Sequence, residues 1–297
     1  MAKRYVILLT VTLLMGHSVF AQLQSALDGA DAAYEEDDYE ESIAILEEAL
    51  TEADDGAEEA ELYWRLSRAT LSLGDRRKDA GAEEDLLLPI FEEGERYADR
   101  AIEADSRNHL GYYWKAANIG RWGQAKGILN SLFKAAPMRD LLTEAIELEP
   151  EHADSYYVLS QLYAQVPGLI SFGNSDYAVS LARRALDLHG EQLASGQEDE
   201  RREGYDVKLA AALIGRDWNA RKRNREQDGK AEAYRDAESE LERGFYYEGI
   251  VEIPRASDEE EARSVLDAVI GELQGRDGLS EQEERQLTEA LELRESL

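Results

Sequence analysis

The chain of 297 residues carries 64 acidic and 33 basic side chains, a net charge of −31, and no cysteine. The missing thiols exclude a disulfide framework, thiol chemistry and thiolate metal sites, so the fold must rest on packing alone. The negative field excludes nucleic acid and anionic membrane surfaces as natural partners. With only eight lysines among the cations, the composition fits either a protein adapted to concentrated salt or an ordinary, well-solvated acidic helical surface.

Residues 1–21 read as a secretory signal peptide. Lys3 and Arg4 precede an apolar stretch from Val6 to Met15, and Val19-Phe20-Ala21 places cleavage after Ala21. That stretch is about half of the roughly 20 residues needed to cross a bilayer, and no later segment approaches that length. The mature chain is therefore expected to be periplasmic or secreted, with no membrane span.

Residues 22–190 repeat themselves. Helix endings recur at Ala49-Leu50, Ala101-Ile102-Glu103-Ala104-Asp105, Ala145-Ile146-Glu147-Leu148-Glu149-Pro150 and Ala185-Leu186-Asp187-Leu188. Each has a matching first helix, at Ala32 to Tyr34, Tyr63 to Leu66, Tyr112 to Trp114 and Tyr156 to Leu159. Ile43, Leu46, Ala49 and Leu50 lie three or four apart on one stripe, with Glu40, Glu41, Glu47 and Glu48 on the other. The endings resemble the tetratricopeptide pattern and predict an all-α solenoid of about four helix-turn-helix repeats. The leading alanines stand 52, 44 and 40 residues apart (49 to 101, 101 to 145, 145 to 185), longer than the 34 of a standard repeat. Alignment places the surplus between the helices, at Arg76 to Leu88, Gly123 to Ala136 and Val166 to Ser175.

Residues 191–297 are expected to form a helical C-terminal extension packing on the solenoid. Polar, aperiodic stretches at Gly190 to Glu203 and Arg216 to Gly229 read as loops. The second holds Arg216, Arg221, Lys222, Arg223 and Arg225, a cationic cluster that either meets a partner's acids or, as the preferred reading, the protein's own. Tyr234, Ala237, Leu241 and Phe245 form one apolar face. Ser257 with Glu260 and Ser280 with Glu283 read as capping boxes opening two further helices, the first carrying Ala262, Val265, Leu266, Val269, Ile270 and Leu273 on its inner face.

Catalytic constellations are missing. His109, His152 and His189 each fall near a predicted helix boundary and read as turn or cap residues. Paired carboxylates such as Glu35 and Glu36 carry no information in so acidic a chain. No Gly-rich phosphate loop and no G-x-S-x-G elbow is present. Neither an enzyme nor a cofactor or metal is expected.

The segment Gly111 to Gly123 concentrates aromatic, amide and cationic side chains on one helix. Tyr112, Ala116 and Ile119 are explained by repeat packing. Tyr113, Asn118, Arg121 and Trp122 read either as further packing residues or as the lining of a small-molecule site. Lys115 occupies a register position normally apolar, so an inward cation would need an acidic partner or an anionic ligand. Corresponding helices should present Trp64, Arg68, Tyr157 and Gln161 toward the same concave side, where aromatics and arginines could hold a partly hydrophobic ligand. Leu169, Ile170 and Phe172, in the Val166 to Asp176 interruption, need covering: by the solenoid itself, or by joining a binding mouth or subunit contact.

The Y-Y-W-x-A-x-N-x-G-x-W helix, the A-I-E-L-E-P ending and the Pro167-Gly168 loop between Asn108 and His189 resemble the periplasmic T components of TRAP-type transporters. More distantly they resemble the tetratricopeptide region of the regulator-of-microtubule-dynamics family, and the export signal sets the first resemblance ahead of the second. It implies a non-enzymatic periplasmic adaptor, binding another envelope protein such as a transporter's substrate-binding protein, and a small ligand. Many T components are lipoproteins, so a chain without cysteine implies a freely diffusing version. The alternative is a general protein-interaction scaffold with no small-molecule ligand.

Overall fold

The computed structural model of the protein describes residues 22–53, 56–127, 132–169 and 171–297. Among them the fold is all-α, built from tetratricopeptide-like helix pairs. The signal-peptide reading and Ile170 fall outside the described residues. The chain divides into two compact units that part between Leu141 and Leu142.

The first unit holds α1 (22–35), α2 (Tyr39–Leu50), α3 (Gly56–Asp79), α4 (Glu84–Ala104) and α5 (His109–Lys126). A 3-10 turn (Leu132–Lys134) then leads into α6 (Ala135–Leu148), within which the division falls. The predicted stripe on α2 buries Leu46 against Leu27, Ala30, Leu62 and Leu66, with Ile43, Ala49 and Leu50 partly covered beside them. Asp38 caps α2 by accepting from the Glu41 backbone N–H, and Asn108 caps α5 by accepting from Leu110 and Gly111.

The first surplus lies in longer helices rather than in an inserted loop. α3 runs 24 residues and α4 21, leaving only residues 80–83 between them. Arg76, Arg77 and Lys78 stand in the last turn of α3, where the helix dipole favours cations. Gly81, at a φ of 83°, then supplies the left-handed step that ends the helix.

The second unit continues with α7 (Ala153–Gln165), α8 (Ser175–Ser195), α9 (Gly204–Arg216), α10 (Ala220–Asp236) and α11 (Glu240–Phe245). A 3-10 turn (Tyr247–Gly249) precedes α12 (Asp258–Gln274) and α13 (Glu281–Glu295). Both capping boxes form as the sequence indicates, and Ala262, Leu266, Val269 and Leu273 are buried on α12.

Three expectations here are corrected. Residues 216–229, read as a loop for want of an apolar period, are largely α10: its inward positions are Arg223 and Lys230, so the stripe is charged rather than greasy. The Gly190 to Glu203 loop shrinks to residues 196–203, because α8 extends to Ser195 before Gly196 turns it. Tyr234, Ala237, Leu241 and Phe245 do not share one helix; α10 ends at Asp236, and Ser239 caps a new helix by accepting from Glu242.

Candidate functional site

Helices α1, α3 and α5 are the first members of successive pairs, and polar side chains tie them into a row within the first unit. Arg65 on α3 donates through Nε to both Asp31 oxygens, at 3.2 and 3.1 Å, and Arg68 donates to the same carboxylate. The Tyr34 and Ser72 hydroxyls lie 2.9 Å apart. Farther along, Arg121 on α5 donates through Nε to both oxygens of Asp75 on α3, at 2.8 and 2.7 Å. Rings back the cations: the Arg68 guanidinium sits 3.9 Å over Tyr34 and 5.2 Å from Trp64.

The residues singled out in the sequence therefore separate into groups. Trp64, Arg68 and Arg121 belong to the α1–α3–α5 row, with Trp64 almost fully covered and its Nε1 donating to Glu61 at 3.0 Å. Lys115 turns toward α4 and meets Asp99 at 2.5 Å, which supplies the acidic partner its register position demands. Trp122 also turns toward α4, donating to Glu92 at 3.0 Å, with Lys134 4.5 Å from its ring. Asn118 and Tyr113 are buried. The Asn118 amide donates to Ser67 Oγ at 3.0 Å and the Trp114 carbonyl at 2.9 Å, while Ser67 donates to the Gly94 carbonyl at 2.8 Å. Asn118 thus fixes the crossing of α3, α4 and α5 from inside the core and faces no open groove.

In the second unit, Tyr157 packs 4.9 Å from Tyr205, and Gln161 donates back to the Tyr157 carbonyl at 3.3 Å. In the Val166 to Asp176 loop, Phe172 folds back edge-on to Tyr163 at 5.3 Å, whereas Leu169 is fully exposed. The turn depends on Gly173, where a Cβ would lie 1.6 Å from the Val166 carbonyl oxygen. His189 is no boundary residue. It is buried within α8, stacks on Tyr205 at 4.6 Å, and accepts the Arg202 backbone N–H at 3.0 Å. Burial, reinforced by the Arg202 charge, lowers its pKa and keeps it neutral.

Arg216 and Arg223 of the cationic stretch meet the protein's own acids, as preferred from the sequence, but in a buried ion cluster that the sequence reading did not foresee. Arg216 on α9 donates to both Asp258 oxygens, at 2.8 and 2.7 Å, and also reaches Glu248 and Asp176. Lys230 donates to Glu248 at 2.7 Å, Arg183 to Glu261 at 2.9 Å, and Arg223 to Glu261. Four cations meet four carboxylates, so the cluster is formally neutral while it joins α8, α9, α10, the second 3-10 turn and α12. The signal was present in the spacing of Arg223, Gln227 and Lys230, a helical stripe written in polar residues.

Among the described residues no helix is long and apolar enough to cross a membrane. Residues 26–171 match the family of regulator of microtubule dynamics proteins 1-3. This stretch contains all nine singled-out residues and ends before the ion cluster. Regulator of microtubule dynamics protein 1 of Bos taurus is 29% identical over 138 residues, 46% of this chain and 41% of the relative. The Mus musculus protein is 29% identical over 150 residues, 50% of this chain and 47% of the relative. The chain thus spans less than half the length of these curated relatives. A thermophilic tetratricopeptide-repeat protein of Thermus thermophilus superposes with a TM-score of 0.47 at 18% identity, covering 77% of this chain and 98% of that one.

These similarities overturn the periplasmic placement and give no support to the TRAP-transport resemblance. The matching family and relatives are regulators of microtubule dynamics, and these relatives come from Bos taurus and Mus musculus, whose cells have no periplasm. The order of the two resemblances is therefore reversed. The helix around Tyr112 to Gly123 misled because its aromatic and small residues answer to helix-pair packing, with Tyr113, Ala116, Asn118 and Ile119 all buried, and such packing is common to many tetratricopeptide proteins.

Proposed function

We propose that this chain is a non-enzymatic scaffold that binds a protein segment along the α1–α3–α5 face of its first unit. The observation that carries the reading is the row of cross-helix pairs from Asp31 to Arg121. It ties three neighbouring helices together and leaves the Tyr34 ring, guanidinium groups and carboxylates partly exposed along a preformed surface. A surface held in place before binding loses little conformational entropy on association, which favours recognition of an extended or helical segment. The family match covers this face, and the relatives' role in microtubule dynamics makes a cytoskeletal regulator the broader context for the proposal. A net charge of −31 argues that the partner is not itself a polyanion.

The small-ligand reading is the less favoured one, since Asn118 and Tyr113 are enclosed and Arg121 already holds Asp75. Comparative capture tests the proposal: proteins retained by wild type should be lost, or bound at least tenfold more weakly, when Tyr34 and Arg68 are replaced together in a variant shown to be folded. An unchanged partner set would refute use of this face. A small molecule retained in native mass spectrometry at the expense of any protein would restore the ligand reading.

A further inference from the structure

Residues 22–64 contain sixteen acidic side chains and neither lysine nor arginine. Asp31, Glu40 and Glu61 draw arginines from farther along α3. On the side of this region formed by α1, α2 and the start of α3, a shallow groove with a volume of about 140 Å³ opens. Its floor is apolar, made by Leu23, Ala26, Ile45, Ala49 and Ala53, and Glu48, Glu52 and Glu58 stand around it. Gln22 donates to Glu52 across one edge. Leu23, Ile45, Ala49 and Ala53 are only partly covered by the core beneath them.

Repeat geometry gives this groove its shape. Each helix pair in a stack covers its neighbour, and the outer surface of a terminal pair is ordinarily polar because nothing lies over it. The α1–α2 pair, the first among the described residues, keeps an apolar floor whose three alanines allow a helix backbone to approach closely. It has the form of a seat for one more helix, surrounded by negative charge.

We propose that this groove receives an amphipathic helix from a partner protein, with its apolar face on Leu23, Ile45 and Ala49 and its lysines or arginines against Glu48, Glu52 and Glu58. Charge complementarity selects the occupant. A second copy of this chain would bring the same acidic rim to the contact, and like charges juxtaposed disfavour association. A cationic helix gains from every rim carboxylate, and its spaced apolar residues suit groove recognition. The groove is a different surface from the α1–α3–α5 face, so the two assignments stand or fall separately.

The test uses the full chain and a labelled 18-residue peptide with leucines at positions i, i+4, i+7 and i+11 and lysines on the opposite face. Fluorescence anisotropy should show saturable binding that Glu48→Lys with Glu52→Lys weakens at least tenfold. Ala49→Trp, which fills the floor without changing charge, should weaken it comparably, and Arg121→Ala should leave it unchanged. Melting curves establish that each variant is folded. A scrambled peptide of the same composition should bind at least tenfold more weakly; equal binding would reduce the effect to bulk charge and overturn the proposal. So would indifference to Ala49→Trp. A photocrosslinker replacing Glu48 should capture the peptide, and exclusive capture of a second copy or of the chain's own first 21 residues would name a different occupant and also overturn it.

Discussion

In the first unit the Arg121–Asp75 pair sits at the rim, with side chains 39% and 30% exposed. In the second, Arg216, Glu248 and Asp258 are 1%, 3% and 0% exposed. The chemistry is the same and the energetics differ. A rim pair exchanges hydration for a modest Coulomb gain, and such pairs contribute about 0–1 kcal/mol. A buried pair must overcome the desolvation of both ions, so its net contribution is small or negative relative to an apolar replacement, yet removing one partner strands a charge in a dry interior. The first unit therefore draws its stability chiefly from apolar packing, and rim pairs such as Arg121–Asp75 orient its helices more than they stabilise them. The second depends on charge balance for the register of five segments.

The sharpest way to break this comparison is at Glu248, which accepts from Arg183, Arg216 and Lys230. Glu248→Gln should destabilise the second unit by about 3–5 kcal/mol, read as lost hydrogen-exchange protection in α9, α10 and α12 while α1 to α3 keep theirs. A loss under about 1 kcal/mol would mean that water reaches the cluster. Acid should mimic the substitution. Burial pushes the Glu248 carboxyl up, but Arg216, Lys230 and Arg183 outweigh burial and hold it well below the ordinary carboxylate range. The folded value lies below the unfolded one, so this stability is present above about pH 4.5 and drains away as the pH falls further. The glutamine variant should show a shallower acid dependence.

The counterpart in the first unit is steric. A Cβ at Gly94 would stand 2.1 Å from Asn118 Oδ1 and 2.6 Å from its Cγ, and Asn118 is enclosed by its bonds to Ser67 and Trp114. Gly94→Ala should destabilise this unit by about 1–3 kcal/mol, the usual result of overpacking. Adding Asn118→Ala should relieve part of that loss, because it removes the obstructing atoms. If the double variant were no better than the sum of the singles, Asn118 would not be the obstruction.

How much of this was legible in the sequence follows from which kind of patterning each region uses. Leu46, Leu62, Leu66 and the recurring alanines form an apolar period, so the helix pairs and their caps could be read directly. Ser257 and Ser280 announced α12 and α13 because a capping box is local. The α10 helix escaped because its inward residues are Arg223 and Lys230, and an apolar template scores them as surface. The candidate site was half visible. Arg68, Arg121 and Trp64 were chosen for their chemistry, but their partners Asp31 and Asp75 lie 37 and 46 residues away from the arginines they meet. Long-range pairing between helices leaves no local signature. Asn118 stayed open between packing residue and ligand group, because its bond to the Ser67 hydroxyl, 51 residues away, leaves no local signature.

Salt sharpens the comparison at smaller amplitude. The sixteen acids of residues 22–64 repel one another through water, whereas the neutral, buried cluster of the second unit is shielded from mobile ions. Raising sodium chloride from 0.05 to 0.5 M should stabilise α1 to α3 by about 1 kcal/mol, on the order of the screening expected for surface charges, and should leave α9, α10 and α12 nearly unchanged. Exchange protection along the chain distinguishes the two. Equal gains in both units would trace the acidic composition to the surface as a whole, as a salt-adapted protein requires.

The smallest expected effect on folding is at Arg121. Its exposed pair with Asp75 implies that Arg121→Ala lowers stability by less than about 1 kcal/mol, so the variant isolates binding from folding. The pair also fixes the sign of a second substitution. In the free protein the guanidinium is directed to Asp75, and a partner carboxylate or carbonyl would have to compete with that bond. Asp75→Asn weakens the competitor and should raise affinity for a segment that uses Arg121, whereas Arg121→Ala should lower it by about 1.5–3 kcal/mol, the range for a hydrogen bond to a charged group. Opposite signs in a titration of the captured partner would make Arg121 a binding residue. If both substitutions left affinity as in wild type, the pair would serve only to staple α3 to α5, and recognition on this face would have to come from the Tyr34, Trp64 and Arg68 end of the row.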